Sequence, residues 1–566
     1  MTFVITRSCC NDATCVSVCP VNYIHPTPDE PDFARAEMLY IDPDQCIDCG
    51  ACVDACPVEA IAPDFDLPEG EEQFLQINAK YYEDPAHLDY QPVPAPRKDD
   101  TIIIDQDGPL HVAIVGSGPA ASYAADALLE HAGLDVEVSM FERLPVPWGL
   151  VRFGVAPDHQ HTKAVTRLYE RTARRPNMTL YLNVNIGTHL SHDELLDHHH
   201  AVIYAVGAAH DRVLNIPGEN LPGSHSATHF VAWYNGHPHM ADAKFDLSCE
   251  RAVIVGNGNV ALDVARILVS DVDQLAQTDI AEHALEALAS SNITEVVILG
   301  RRGPAQAAYT IGEMLSLTQL STAEVVARPE EVQLDTLTAT HLGADPHNMA
   351  HLKVDLIRQL PSALGERRAD KRIVMRYRLS PFEIEGSDSV RAVRLVHNDL
   401  TIDSDGVFVA EPTVRQEVLD CGLILRSVGY RGQPIAGLPF DETNHRVPTR
   451  DGRLIDGQSD QPVVGVYATG WIKRGATGFI GTNKQDARET VEALLDDYIH
   501  RRLRAPLQAR AALDDLVAAR QPAALRYQDW QTIDKHERNA ATRGQRPRLK
   551  LVTVEDMLKA ADRGPL

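Results

Sequence analysis

His111-Val-Ala-Ile-Val115-Gly116-Ser-Gly118-Pro-Ala120-Ala121 is the stretch that decides the fold. An apolar run of this length, closed by glycine, reads as a buried strand feeding a helix. Gly116 permits the tight turn, and Gly118 lets a pyrophosphate approach the backbone. The small Ala121 allows helix and strand to pack closely. The helix N-terminus then offers N–H donors and a favourable dipole to phosphate. The next strand, Val136-Glu-Val-Ser-Met-Phe141, ends at Glu142, where a carboxylate can hold ribose hydroxyls. That combination suits FAD.

A second unit repeats the pattern. Arg251-Ala-Val-Ile-Val255 leads into Gly256-Asn257-Gly258-Asn259-Val260-Ala261, and its partner strand Glu295–Leu299 ends in Gly300-Arg301-Arg302. Two guanidiniums there attract a 2′-phosphate, which suits NADPH over NADH. The separation from Gly256 exceeds the usual ~20 residues, so an insertion is predicted over roughly 270–292. Residues 390–412 alternate as antiparallel hairpins do, and residues 423–429 and 463–468 read as late buried strands. Strands alternating with helices predict an α/β protein with parallel sheets.

The 566 residues suffice for three or four domains, and no apolar run reaches the length of a membrane span. The N-terminus shows no signal-peptide core. These features predict a cytoplasmic protein without membrane insertion. The formal net charge is −27, and residues 1–100 hold twenty acids against five bases. Such a surface repels nucleic acid and favours a basic partner over an acidic one, unless it is simply solvated.

Eight of the ten cysteines fall within the first 56 residues. Cys46-x2-Cys49-x2-Cys52-x3-Cys56-Pro57 has the spacing of a bacterial ferredoxin loop, in which the fourth Cys ligates the other cluster. The earlier run, aligned on its Cys-Pro end, is Cys9-x2-Asp12-x2-Cys15-x3-Cys19-Pro20. The crossover gives one site four thiolates (Cys46, Cys49, Cys52, Cys19) and the other three (Cys9, Cys15, Cys56). The first suits a [4Fe–4S] cluster. The second suits a [3Fe–4S] cluster, or a second [4Fe–4S] whose fourth iron takes Asp12, Cys10 or solvent. A zinc ribbon, with paired CxxC knuckles, fits these spacings poorly. Cys249 and Cys421 read as ordinary buried thiols. His198-His199-His200 and His237/His239 lack a third-ligand pattern and read as turn or surface positions.

Residues 109–566 resemble adrenodoxin reductase-type ferredoxin–NADP⁺ reductases, through Val115–Ala120, Pro147-Trp-Gly-Leu-Val-Arg-Phe-Gly-Val-Ala-Pro-Asp-His159, Gly256–Arg266, Gly300–Pro304 and Gly470-Trp-Ile-Lys-Arg-Gly-Ala-Thr-Gly478. The whole chain is similar to bacterial reductases of this type with a fused N-terminal ferredoxin, and the cysteine pattern resembles seven-iron ferredoxins. Tyr23 stands where many of those carry a free Cys. The resemblance implies that Ala120, Glu142, Leu150 and Ile186 line FAD, and that Asn257–Val260, Arg301, Arg302 and Glu313 surround NADPH. It also places Trp471, Gly478, Phe479 and Ile480 by the isoalloxazine. His159 and Glu313 are implied to lie at the flavin–nicotinamide contact, assisting proton transfer or positioning. Ala476 replaces a proline common in the family, which predicts a looser loop.

The expected architecture is α/β: two Rossmann-like domains, for FAD and NADP, preceded by a small α+β ferredoxin-like domain. Residues 1–62 form that module, 63–108 a Pro- and acid-rich linker, 109–210 with 433–566 the FAD domain, and 211–432 the NADP domain. The expected activity passes a hydride from NADPH to FAD, then single electrons to the tethered clusters. An external ferredoxin or a cytochrome P450-type monooxygenase is the expected acceptor. The competing expectation makes the cluster module a docking or redox-sensing domain off the electron path. An amidotransferase or pyrimidine-reductase subunit also joins these cofactors but lacks the Pro147–His159 and Gly470–Gly478 strings.

Overall fold

The computed structural model describes residues 1–88, 90, 108–131, 133–541 and 546–562. Two sheets organise the chain after residue 108. The first has seven strands and centres on Leu110–Val115, flanked in parallel by Val136–Glu142 and Ala201–Tyr204. Met178–Leu182 and Pro462–Ala468 continue it in parallel on either side, and two short antiparallel strands, Arg453–Ile455 and Thr449–Arg450, finish one edge. The central strands are buried on both faces, which explains their near-continuous apolar character.

The second sheet has six parallel strands in the spatial order Ser224–Ser226, Leu423–Arg426, Arg251–Val255, Glu295–Gly300, Lys371–Tyr377, Ala323–Ala327. The predicted insertion contains two short helices, Val272–Leu275 and Glu282–Ala289. A three-stranded antiparallel meander, Leu379–Glu385, Ala392–Ile402 and Phe408–Asp420, lies beyond the sheet.

The N-terminal module is small and internally repeated. Phe3–Ile5 pairs antiparallel with Ile61–Pro63, and Ile24–His25 with Tyr40–Ile41. Helices Thr14–Val18 and Ala51–Ala55 each carry the third cysteine of a run and end at its fourth. Positive φ recurs at matching places of the two halves: Asn11 and Asp48, Ala13 and Gly50, Asn22 and Glu59.

The linker expected over 63–108 is corrected where it is described; residue 89 and residues 91–107 lie outside the described residues. Phe74–Tyr81 is a helix that buries Phe74, Ile77 and Tyr81 in the module's core. Asn78, wholly buried, accepts the Ile41 N–H at 2.9 Å and donates to the Ile5 carbonyl at 2.8 Å, stitching two strands together. Prolines and acids on either side mask this short helical period in the sequence. The histidine run is also corrected. His198 and His199 are buried, and His199 Nδ1 bonds the Leu195 carbonyl at 2.8 Å, because the helix His192–His198 tucks its end beneath the strand that follows.

Candidate redox site

The cysteine side chains gather around two hollows. One is lined by Cys19, Cys46, Cys49 and Cys52, with Tyr23 and apolar Ile24 and Ile41 around them. The other is lined by Cys9, Cys15 and Cys56, together with Cys10 and Asp12. Burial pushes the Cys9 and Cys52 thiols up to about 12 and Cys15 well above its ordinary value. So many buried sulfurs ionise only against strong local positive charge, which an iron–sulfur core supplies. The soft, crowded donor set therefore fits such clusters. Asp12 lines this hollow with its carboxylate already engaged. Its carboxylate accepts the Thr14 N–H at 3.2 Å and the Thr14 hydroxyl, and lies 3.7 Å from Lys484 Nζ.

The two glycine loops share one geometry. Gly116 and Gly256 have φ of +105° and +112°, and a Cβ there would stand 2.4 Å from the Ala205 carbonyl oxygen and 2.1 Å from that of Ser427. Only glycine fits. A Cβ on Gly118 would meet nothing within 4 Å, and one on Gly258 only Ala308 at 3.9 Å, so both loops face open space before a helix N-terminus. That is the cradle a pyrophosphate needs.

Glu142 ends its strand buried, accepting from Ser117 Oγ at 2.6 Å and the Leu144 N–H at 3.0 Å. Burial raises its carboxyl above the usual range. Ala120 is buried at the helix start, Leu150 is exposed on the helix Gly149–Phe153, and Ile186 is half-buried. Arg301 is exposed and Arg302 half-buried, and neither forms an ion pair among the described residues. Burial, then the neighbouring Arg301, lowers the Arg302 guanidinium's affinity for its proton. An anion between them would relieve that repulsion. Asn259 Oδ1 accepts the Thr310 N–H at 2.8 Å, tying the second loop to the helix Ile311–Thr318, which carries Glu313.

The loop Gly470–Gly478 is well anchored despite Ala476. Arg474 donates to the Thr477 carbonyl and to Asn483 Oδ1, both at 3.1 Å, and pairs with Asp486 at 3.0 Å. Trp471 Nε1 donates to the Thr477 carbonyl at 3.1 Å, and its ring lies 5.2 Å from Tyr430. Gly478 has φ +79° and is exposed, leaving a face without a side chain; Phe479 and Ile480 follow it, half-buried.

His159 and Glu313 come together around an arginine that sequence reasoning passed over. Buried Arg266 donates to Asp158 at 2.7 Å, to Asp263 at 2.7 Å and to His159 Nε2 at 2.8 Å, and lies 3.6 Å from Glu313. His159 and Glu313 are 3.8 Å apart. Since arginine only donates, His159 Nε2 accepts, leaving the proton on Nδ1. Burial, then Arg266, pushes His159 down to about 4. His159, Asp263 and Glu313 resemble a metal triad in spacing, but the guanidinium already supplies the cation. Asp263 and Arg266, two charges in a mostly apolar helix Asn259–Val269, were the available signal.

The module meets the residues just after this loop directly. The Gly481 N–H donates to the Cys10 carbonyl at 2.7 Å, and Lys484 Nζ donates to Thr14 Oγ1 at 2.8 Å. Residues 39–62 match the family of 4Fe-4S binding domains, and residues 110–300 match the pyridine nucleotide-disulphide oxidoreductases. The chain is 50% identical over 572 residues to a probable ferredoxin/ferredoxin–NADP reductase of Mycobacterium tuberculosis, covering 100% of this chain and 96% of the relative.

The chain belongs to the ferredoxin/ferredoxin–NADP reductase family.

The reductase part is also 39% identical to the mitochondrial NADPH:adrenodoxin oxidoreductase of Salvelinus fontinalis, over 80% of this chain and 91% of the relative. Its fold matches M. tuberculosis FprA solved in complex with NADPH, with TM-score 0.75 and 44% identity, over 80% of this chain and all of that one. This reductase is thus an oxidoreductase of the adrenodoxin reductase type with an N-terminal 4Fe-4S-type module. No helix among its described residues is long and apolar enough to cross a membrane.

Proposed function

We propose that this enzyme is an NADPH–ferredoxin oxidoreductase whose own N-terminal module receives the electrons first. An external ferredoxin or a P450-type monooxygenase then takes them. The carrying observation is the Gly481–Cys10 hydrogen bond, which seats the three-thiol loop one residue beyond Ile480. The same contact favours this reading over a module off the electron path.

When bound, FAD accepts a hydride from NADPH and releases electrons singly, and iron–sulfur clusters carry them one at a time. The chain supplies position. Arg301 and Arg302 hold the 2′-phosphate of NADPH, with Asn257–Val260 beneath its pyrophosphate. Gly116, Gly118 and Ala120 receive the FAD pyrophosphate, and Glu142 its ribose. Leu150, Ile186, Trp471, Phe479 and Ile480 frame the flavin, and Gly478 leaves the nicotinamide a flat approach. Arg266 fixes His159 and Glu313, so a neutral imidazole presents its Nδ1–H at the contact. Cys19, Cys46, Cys49 and Cys52 hold a [4Fe–4S] cluster. Cys9, Cys15 and Cys56 hold a [3Fe–4S] cluster, supported by the commitment of the Asp12 carboxylate to Thr14 and Lys484.

Anaerobic titration with NADPH tests the route. Flavin and cluster absorbance should bleach together on the timescale of turnover. Clusters that stay oxidised beside a fully reduced flavin exclude it.

A further inference from the structure

The module grips more than the flavin-side loop. On its opposite flank, Glu37 reaches the NADP-binding unit. One carboxylate oxygen accepts the Ile311 N–H at 2.7 Å, and the other meets Lys353 Nζ at 2.6 Å. Ile311 opens the helix that carries Glu313, and the preceding residue, Thr310, donates its N–H to Asn259 of the dinucleotide loop. A carboxylate of the module therefore lies one residue along the backbone from a direct hydrogen bond to that loop.

Packing on this flank is equally close. Ile311 and Leu315 are buried within the module's own core, beside Phe74 and Tyr40. A Cβ on Gly312 would stand 3.2 Å from Phe74, and Gln319 donates to the Gly70 carbonyl at 2.6 Å. On the FAD flank, Cys10, Val58 and Ala60 belong to the FAD domain's core, and Glu59 pairs with Arg167 at 2.5 Å. Apolar cores continuous on both flanks are the mark of an element packed in one place. A module that swung between positions would have to expose them on each excursion.

We infer that the N-terminal module is a fixed bridge across the two nucleotide-binding domains, and that Glu37 is the positioning residue coupling its seat to the NADP loop. An external electron acceptor then has no path to the Gly481 face. It meets the protein at the four-thiol hollow instead, where Ile47 and Cys49 are exposed. The electron-transfer part of this inference rests on the proposed route; the bridge itself rests on contacts alone.

The test uses the full-length holoenzyme with Glu37→Lys, which sets two ammonium groups against each other, and the charge swap Glu37→Lys/Lys353→Glu. Glu37→Gln, isosteric and still an acceptor, serves as the milder variant should Glu37→Lys fold poorly. Hydrogen–deuterium exchange reads residues 310–318 and 478–484, and stopped-flow absorbance reads cluster reduction at rising viscosity. The wild type should reduce its clusters at a rate independent of viscosity. Glu37→Lys should speed exchange in the first turn of the Ile311 helix by about tenfold or more. It should also make cluster reduction slower and viscosity-dependent. Glu37→Gln should change both readouts in the same direction by less, and the swap, which restores the ion pair but leaves the Ile311 N–H without its acceptor, should recover cluster reduction more than exchange. Unchanged exchange in both single variants, failure of the swap to raise cluster reduction above that of Glu37→Lys, or viscosity-dependent cluster reduction in the wild type overturns the bridge. Clusters that never reduce in the wild type remove the electron route instead, and the exchange arm still decides the bridge.

Discussion

Gly481→Ala isolates the seat of the module from everything else. Gly481 has φ −72° and ψ −25°, a conformation any L-residue adopts without strain. The added Cβ would nevertheless stand 2.1 Å from the Asn11 carbonyl carbon and the Asp12 nitrogen, and 2.3 Å from the Asn11 oxygen. Ordinary contact begins at 3.4 Å, so the module's loop must retreat by the difference between 3.4 and 2.1 Å, or 1.3 Å. Both obstructing groups are backbone, with no flexible side chain to turn aside. Overpacking of this kind costs about 1–3 kcal/mol, or roughly 5- to 150-fold in the population of the seated state. If the seat holds but shifts, a misplacement near 1 Å costs up to about 100-fold in a rate that depends on position. Either way, cluster reduction should slow by about tenfold or more. Anaerobic stopped-flow mixing with NADPH reads both events in one trace, first the flavin and then the clusters. Flavin reduction should keep its wild-type rate, because the new methyl faces Asn11 and Asp12. Clusters bleaching at the wild-type rate in Gly481→Ala would refute the argument that this contact sets the route.

Three further outcomes are expected. Arg301→Ala with Arg302→Ala should raise KM for NADPH far more than for NADH, since each lost charged hydrogen bond removes about 1.5–3 kcal/mol; equal effects on both nucleotides reject the 2′-phosphate assignment. Low-temperature EPR of the oxidised protein should show a [3Fe–4S]⁺ signal, and a silent spectrum points to four irons at the Cys9/Cys15/Cys56 hollow. His159 is lowered from 6.5 to about 4, so the unfolded chain binds the extra proton in that interval. Its contribution to stability is whole above pH 6.5 and fades as pH falls toward 4, by about 3 kcal/mol across the window. His159→Gln should therefore flatten the acid side of the melting-temperature profile, and an unchanged slope rejects the shift.

The parts legible in sequence were those specified by near neighbours. The glycine loops announce themselves because Gly116 and Gly256 each sit against a carbonyl that excludes any side chain. The grouping of sulfurs around two hollows follows from spacing, since a four-residue step from Cys15 to Cys19 and from Cys52 to Cys56 runs out of one short helix and carries the fourth sulfur across. Arg266 was harder. Its helix looks purely structural until Asp158, more than a hundred positions away, arrives beside it. The helix Phe74–Tyr81 lay hidden because its flanks are rich in proline and acids. The seat was out of reach altogether, because Cys10 and Gly481 come from opposite ends of the chain, and Gly481 looks like one more residue of a glycine-rich loop.

The seat also gives a physical reason for the flaw in the first cysteine run. Asp12 occupies the position that Cys49 holds in the second run, where a thiolate would face a fourth iron. In this fold that position lies at the contact with the reductase. Its backbone N–H abuts Gly481, and its carboxylate caps Thr14 and faces Lys484. A cysteine at 12 could neither accept the Thr14 N–H as well nor pair with a lysine across the interface. Cys49, the matching residue, is exposed among the described residues. One half of an internal repeat thus carries a docking carboxylate where the other carries an exposed thiol. The asymmetry in composition is the asymmetry in position: the three-thiol hollow faces inward to Gly481 and Lys484, and the four-thiol hollow has Cys49 exposed.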